Sequence, residues 1–92
     1  MLYSVFALDK PGTADKRKAV HAQHLAHLKR AKDYGVAMTV GGPLVADDGA
    51  ASIGSLMVFE APDRESVEKF TGADPLQAVW DKVEIRRFDR KE

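Results

Sequence analysis

Two stretches of this chain are apolar on both of their faces, and that feature narrows the available folds more than any other. From Leu2 to Leu8, Tyr3, Val5 and Ala7 alternate with Leu2, Phe6 and Leu8. From Ser52 to Glu60, Ile53, Met57 and Phe59 alternate with Leu56 and Val58. Successive side chains of a strand point to opposite sides of its sheet. An antiparallel strand with one wet face normally alternates apolar with polar residues. Two strands of the observed kind call for a sheet that is covered on both sides.

The rest of the chain supplies cover for one side only. Asp9-Lys10-Pro11-Gly12 is turn chemistry and ends the first strand. Lys16 to Tyr34 contains neither Pro nor Gly and is rich in Ala, Lys, Leu and Arg, which predicts a helix capped by Thr13 or Asp15 and stopped by Gly35. At about 100° per residue, Val20, His24, Leu25, Leu28 and Ala31 share one arc of about 140°. A second strand runs from Val36 to Val40, is broken by Gly41-Gly42-Pro43, and resumes at Leu44-Val45. Ala46 to Ala51 reads as a hairpin loop leading into the strand from Ser52. A second helix starts near Asp63, faces the core with Val67 and Phe70, and closes at Gly72. Asp74-Pro75-Leu76-Gln77 has the order of a capping box on one short turn, with Gln77 as the reciprocal partner. Lys82 to Phe88 is the last strand.

The order β-α-β-β-α-β is the split-βαβ, ferredoxin-like α+β arrangement: a four-stranded antiparallel sheet with two helices on one face. Its 92 residues make one domain, 1–92. A core this small gains from a helper, and with no cysteine the helper cannot be a disulfide. The expected cover for the other face of the sheet is therefore a second copy of the chain.

Composition excludes other classes. Fourteen basic and fourteen acidic residues cancel, leaving no electrostatic footprint for nucleic acid or an anionic membrane. Lys16-Arg17-Lys18 reads as a solvated helix face. No apolar run approaches the length that spans a bilayer, about 20 residues, and Met1-Leu2-Tyr3-Ser4-Val5 does not resemble a signal peptide. A cytoplasmic location is the expectation.

Three places can carry chemistry. His24 sits near the middle of the first helix's apolar arc, so its imidazole should face the sheet; it is either a satisfied core histidine or a general acid/base in a half-buried pocket. Asp74, before Pro75, is an ordinary cap unless something reaches it. Gly41-Gly42-Pro43 is either a strand irregularity or a place where backbone approaches a small molecule closely. His21, His24 and His27 recur every third residue, but their spread of about 120° and the lack of a partnering cluster argue against a metal site. No glycine-rich phosphate loop is present, and no cofactor is expected.

The opening Leu2-Tyr3-Ser4-Val5-Phe6-Ala7-Leu8-Asp9, the helical Arg17-Lys18-Ala19-Val20-His21-Ala22-Gln23-His24-Leu25-Ala26-His27-Leu28, Gly42-Pro43 and Ala73-Asp74-Pro75 occur in an order that resembles the YciI-like (YCII-related) family of dimeric α/β-barrel proteins. The resemblance covers nearly the whole chain. It implies subunits whose sheets pack face to face in a homodimer, and a small-molecule pocket holding a His-Asp pair, here His24 and Asp74; the sequence leaves a tetramer built from two such dimers open. Gly42 and Pro43 would line that pocket. The segment Leu76-Gln77-Ala78-Val79-Trp80 departs from the aromatic-then-Ala-Gly pattern of relatives, and Trp80 is expected to fill the vacated space in the pocket wall. The loop Ala46 to Ala51 is also shorter than in many relatives. The family resembles muconolactone isomerases in architecture, and some relatives are linked to dehydrochlorination of chlorinated hydroxyquinols.

Two functions follow. One is a lyase- or isomerase-like enzyme in which His24 moves a proton on a small organic acid or aromatic compound while Asp74 orients His24 or takes the second proton role. The other is a non-enzymatic ligand-binding or accessory homodimer, favoured if Trp80 and Met57 seal the pocket. Because the same strands bound the pocket and the dimer face, dissociating the dimer is expected to abolish ligand binding.

Overall fold

The structure, a computed structural model, describes residues 1–91. Strand β1 is Leu2–Asp9, helix α1 Ala14–Leu28, β2 Ala37–Val45, β3 Ser52–Glu60, helix α2 Arg64–Gly72 and β4 Trp80–Phe88. Short 3-10 turns occupy Ala31–Tyr34 and Pro75–Ala78. The strands form one antiparallel sheet in the order β2-β3-β1-β4. This is the expected ferredoxin-like α+β arrangement.

The register divides the apolar residues between two faces. Tyr3, Val5 and Ala7 lie opposite Phe59, Met57 and Ser55 on β3, and Val5 opposite Ile85 on β4. All of these are buried, and with Val67, Phe70, Leu76, Val79 and Trp80 they make the core under the helices. Each large side chain so buried contributes about 1.5–3 kcal/mol. On the opposite face Phe6 lies beside Leu56, and Val40, Leu8 and Phe88 flank them. Those five are exposed large hydrophobic residues. The two-sided pattern of β1 and β3 thus yields one covered face and one open apolar face.

Several boundaries differ from the sequence reading. Helix α1 ends at Leu28 instead of Tyr34, because the chain tightens: the Arg30 amide donates to the His27 carbonyl at 2.9 Å and a 3-10 turn follows. The tightening brings Tyr34 edge-on to Phe70, with ring centroids 5.1 Å apart. Gly35 then ends the turn with φ 77°, a left-handed conformation that suits glycine. Thr13 precedes α1 but its hydroxyl donates to the Lys10 carbonyl and caps nothing.

Strand β2 is also longer than expected, since Gly41-Gly42-Pro43 continues it instead of breaking it. Proline cannot donate to a ladder and is tolerated on an edge strand, which β2 is. The irregularities fall between Met38 and Val40 and at Val45. Strand β4 starts two residues early, at Trp80, which pairs with Asp9 across a register shift. The capping box at Asp74 is incomplete, because the Gln77 side chain donates to the Thr71 carbonyl at 3.0 Å.

Candidate functional site

Local chemistry fixes the carboxylate of Asp74 before anything reaches it. As the residue before Pro75 it is extended, φ −70° and ψ 130°, where a helical conformation is disfavoured. Its Oδ1 accepts the Leu76 amide at 2.9 Å, and its own amide donates to the Thr71 carbonyl at 3.2 Å. The side chain is 2% exposed.

His24 meets this carboxylate from α1. Its Nδ1 lies 2.9 Å from both Oδ1 and Oδ2 of Asp74, and its side chain is 12% exposed. An ionised carboxylate only accepts, so facing one Nδ1 would carry the hydrogen and donate. That leaves Nε2, which has no protein partner among the described residues, as the basic nitrogen of the neutral ring. The imidazole is thus positioned by a buried carboxylate that is itself held by the backbone.

The other two histidines of the spaced trio go elsewhere. His27 Nε2 is 2.7 Å from the Phe70 carbonyl oxygen, and its ring stacks on Phe70 at 4.2 Å. His21 opens onto solvent. Among the described residues no three His, Asp or Glu side chains gather in metal-binding geometry.

Beside His24 is a cavity of about 280 Å³ between α1 and the helix-side face of β2 and β3. His24, His21, Arg17, Ser52 and Ser55 supply its polar wall. Leu25, Leu28, Met38, Met57, Pro43 and Leu76 supply the apolar remainder. Leu25, which the periodicity assigns to the core, is 44% exposed because it borders this space. Gly41 has a packing reason to lack a side chain: a Cβ there would run into Met38 and press on Met57.

The expected site residues separate into two groups. His24 and Asp74 are brought together, and Gly42 and Pro43 border the same cavity. Trp80 does not reach it. It is 3% exposed within the core at the start of β4, where its pairing with Asp9 draws it under the sheet. Met57 lines the cavity without closing it.

Sequence reasoning misses one further group. Arg17, read as part of a solvated charge run, turns inward. Its Nη1 donates to Asp9 Oδ1 and Oδ2 at 2.8 and 3.0 Å, and its Nη2 donates to the Gly54 carbonyl at 2.8 Å and Ser55 Oγ at 2.9 Å. The only available signal is that Arg17 precedes His24 by seven residues, two helical turns, and so shares its face.

The cavity and the open apolar face are on opposite sides of the sheet.

The YCII-related domain matches residues 1–89. Protein YciI of Escherichia coli O6:H1 is 35% identical over 97 aligned positions, covering 98% of each chain. A protein of Haemophilus influenzae is 33% identical, again over 98% of each chain. Among solved structures, 5-chloro-2-hydroxyhydroquinone dehydrochlorinase from Burkholderia phenoliruptrix, in complex with 2,5-dihydroxybenzoquinone, is similar with a TM-score of 0.85 and 27% identity, covering 99% of this chain and 96% of that one. No helix among the described residues is long and apolar enough to cross a membrane. With a matching domain over almost its whole length and relatives at this identity, the chain belongs to the YCII-related family.

Proposed function

We propose that this protein binds a small cyclic or unsaturated organic compound beside His24 and transfers a proton to or from it, as a lyase- or isomerase-like catalyst working as a homodimer. The observation that carries this reading is the His24–Asp74 contact, 2.9 Å to both carboxylate oxygens, in the wall of a cavity. With Nδ1 committed to Asp74, Nε2 is the nitrogen that can take a proton from the ligand as general base and return it as general acid. Asp74 holds the tautomer and stabilises the imidazolium while it exists.

The likeness to a dehydrochlorinase solved with a dihydroxybenzoquinone supports a compact oxygenated ring as ligand. An accessory, non-catalytic role loses its main support, since neither Trp80 nor Met57 closes the cavity. A second copy on the open face is supported by the run of exposed Phe6, Leu8, Val40, Leu56 and Phe88, a patch of the kind that marks interaction surfaces.

Nitrogen-15 NMR of the His24 ring tests the pairing. The neutral ring should be the Nδ1–H tautomer, and Asp74→Asn should change its ring-nitrogen signals and depress proton transfer to a bound ligand by about 10²-fold or more. Identical His24 signals in wild type and Asp74→Asn would remove the basis for the reading.

A further inference from the structure

Opposite His24, on the β3 side of the cavity, is a hydroxyl with one unspent hydrogen. Ser55 is 3% exposed and lines the cavity. Its Oγ accepts from Arg17 Nη2 at 2.9 Å. A serine hydroxyl that accepts still has its own proton to donate. No protein group among the described residues takes that proton. The guanidinium that donates to Ser55 also withdraws electron density from it, which makes the hydroxyl a better donor, as in other hydrogen-bond chains.

Arg17 itself is not available to a ligand in the usual way. Asp9 engages both of its oxygens with Nη1, and the Gly54 carbonyl and Ser55 occupy Nη2. The ion pair is nearly buried, with side chains 12% and 7% exposed. A carboxylate or phosphate seeking a bidentate hold would have to displace Asp9. What the buried part of this wall offers is the O–H of Ser55; Ser52, the other hydroxyl that lines the cavity, is exposed.

We propose that Ser55, positioned and polarised by Arg17, donates a hydrogen bond to one oxygen of the ligand, and that the site therefore selects compounds bearing a carbonyl or enolate oxygen on a small ring over carboxylates. The proposal rests on the proton-transfer reading of His24 and narrows it. As His24 Nε2 takes the proton of an enolic or phenolic hydroxyl, the O–H bond breaks and an N–H bond forms. The electron pair stays on the ligand and is shared through the conjugated ring with a second oxygen. Ser55 meets the charge that develops there, the role of a donor aimed at an oxyanion. The volume of about 280 Å³ is near the lower end for ligand cavities and fits a single ring.

The outer part of the site fits the same reading. A second hollow continues from the first past Arg17, His21 and Ser52 to Lys18 and to Ala50 and Ala51 of the hairpin loop. Lys18 and His21 lie at its mouth, near solvent, where they can draw in an ionised ring compound without gripping it.

The test uses 2,5-dihydroxybenzoquinone as probe, titrated calorimetrically into the full-length protein. Wild type should bind, and Ser55→Ala should weaken binding by roughly tenfold or more, the loss of a hydrogen bond to a charged oxygen. The same loss should appear in a His24→Gln background, which separates the Ser55 contact from the acid/base reading. Benzoate, a ring of the same size with only a carboxylate, should bind more weakly and lose nothing on Ser55→Ala. A second measurement needs no variant: nuclear Overhauser contacts from the ring protons of the probe to the Ser55 β-protons should be present. Failure of the probe to bind wild type, binding indifferent to Ser55→Ala in a folded variant, benzoate binding as tightly as the probe, or absence of the Ser55 contacts in the bound state each overturns the inference. None of these results depends on whether His24 responds to Asp74→Asn.

Discussion

Arg17 of α1 reaches both carboxylate oxygens of Asp9 at the end of β1, at 2.8 and 3.0 Å, so one ion pair ties the helix to the sheet two turns before His24. Both side chains are largely removed from water, and removing either partner leaves an uncompensated charge. Arg17→Ala or Asp9→Ala should each cost about 3 kcal/mol, and an apolar double variant such as Arg17→Met with Asp9→Leu should recover part of that loss. Urea denaturation of the two single variants and the double variant checks this. Near-zero cost for both single variants would mean that the pair is solvated and does not brace the helix.

Trp80 belongs to the core, so its replacement should change stability and leave the site alone. Its indole N–H is buried without a protein partner among the described residues. Trp80→Phe removes that group along with some volume, and the two effects oppose each other, leaving a net loss of about 1–2 kcal/mol. Calorimetry should show unchanged affinity for dihydroxybenzoquinone beside a lowered melting temperature. A selective loss of affinity at unchanged stability would return Trp80 to the pocket wall.

Asp63 caps α2, its Oδ1 accepting the Ser66 amide and the Ser66 hydroxyl, each at 2.8 Å. The Ser66 backbone bond, then its hydroxyl and the charge of Lys69, hold the Asp63 carboxyl below its ordinary value. A carboxyl depressed in the folded state adds stability above its unfolded value, and that stability is lost as pH falls through the folded one. Asp63→Ala should therefore melt below wild type at neutral pH, with the gap shrinking on acidification under about pH 4. Melting curves across that range decide it, and a gap independent of pH would show that the charge of Asp63 is irrelevant to the cap.

Where punctuation is local, the chain is legible. Pro11-Gly12 ends β1, Asp63 starts α2, and Asp74-Pro75 fixes the carboxylate of the site, each within a few residues of what it controls. The misread places depend on partners far away in sequence. Whether Pro43 breaks β2 depends on β2 being an edge strand, a property of the assembled sheet. Helix α1 stops at Leu28 with no breaker, because Tyr34 has Phe70 to pack on. The inward turn of Arg17 depends on Asp9 and on Ser55, the latter 38 residues away. In the site, periodicity oriented His24 and the family resemblance paired it with Asp74, but neither signalled that Ser55 had a free donor.

The open face should respond separately from the cavity. Phe6 and Leu56 are direct neighbours across β1 and β3, 38% and 41% exposed. Replacing both with glutamate sets like charges opposite one another and makes burial against a second copy costly. Sedimentation velocity should show the wild type as a dimer or larger and Phe6→Glu/Leu56→Glu as a monomer. The variant should be less stable, since association adds to the stability of the folded chain. It should nonetheless still bind dihydroxybenzoquinone, because Ser55, Met57 and His24 lie on the other side of the sheet. A wild type that sediments as a monomer would dismiss the homodimer. A folded monomeric variant that has lost the probe would show that the partner shapes the site through the shared strands.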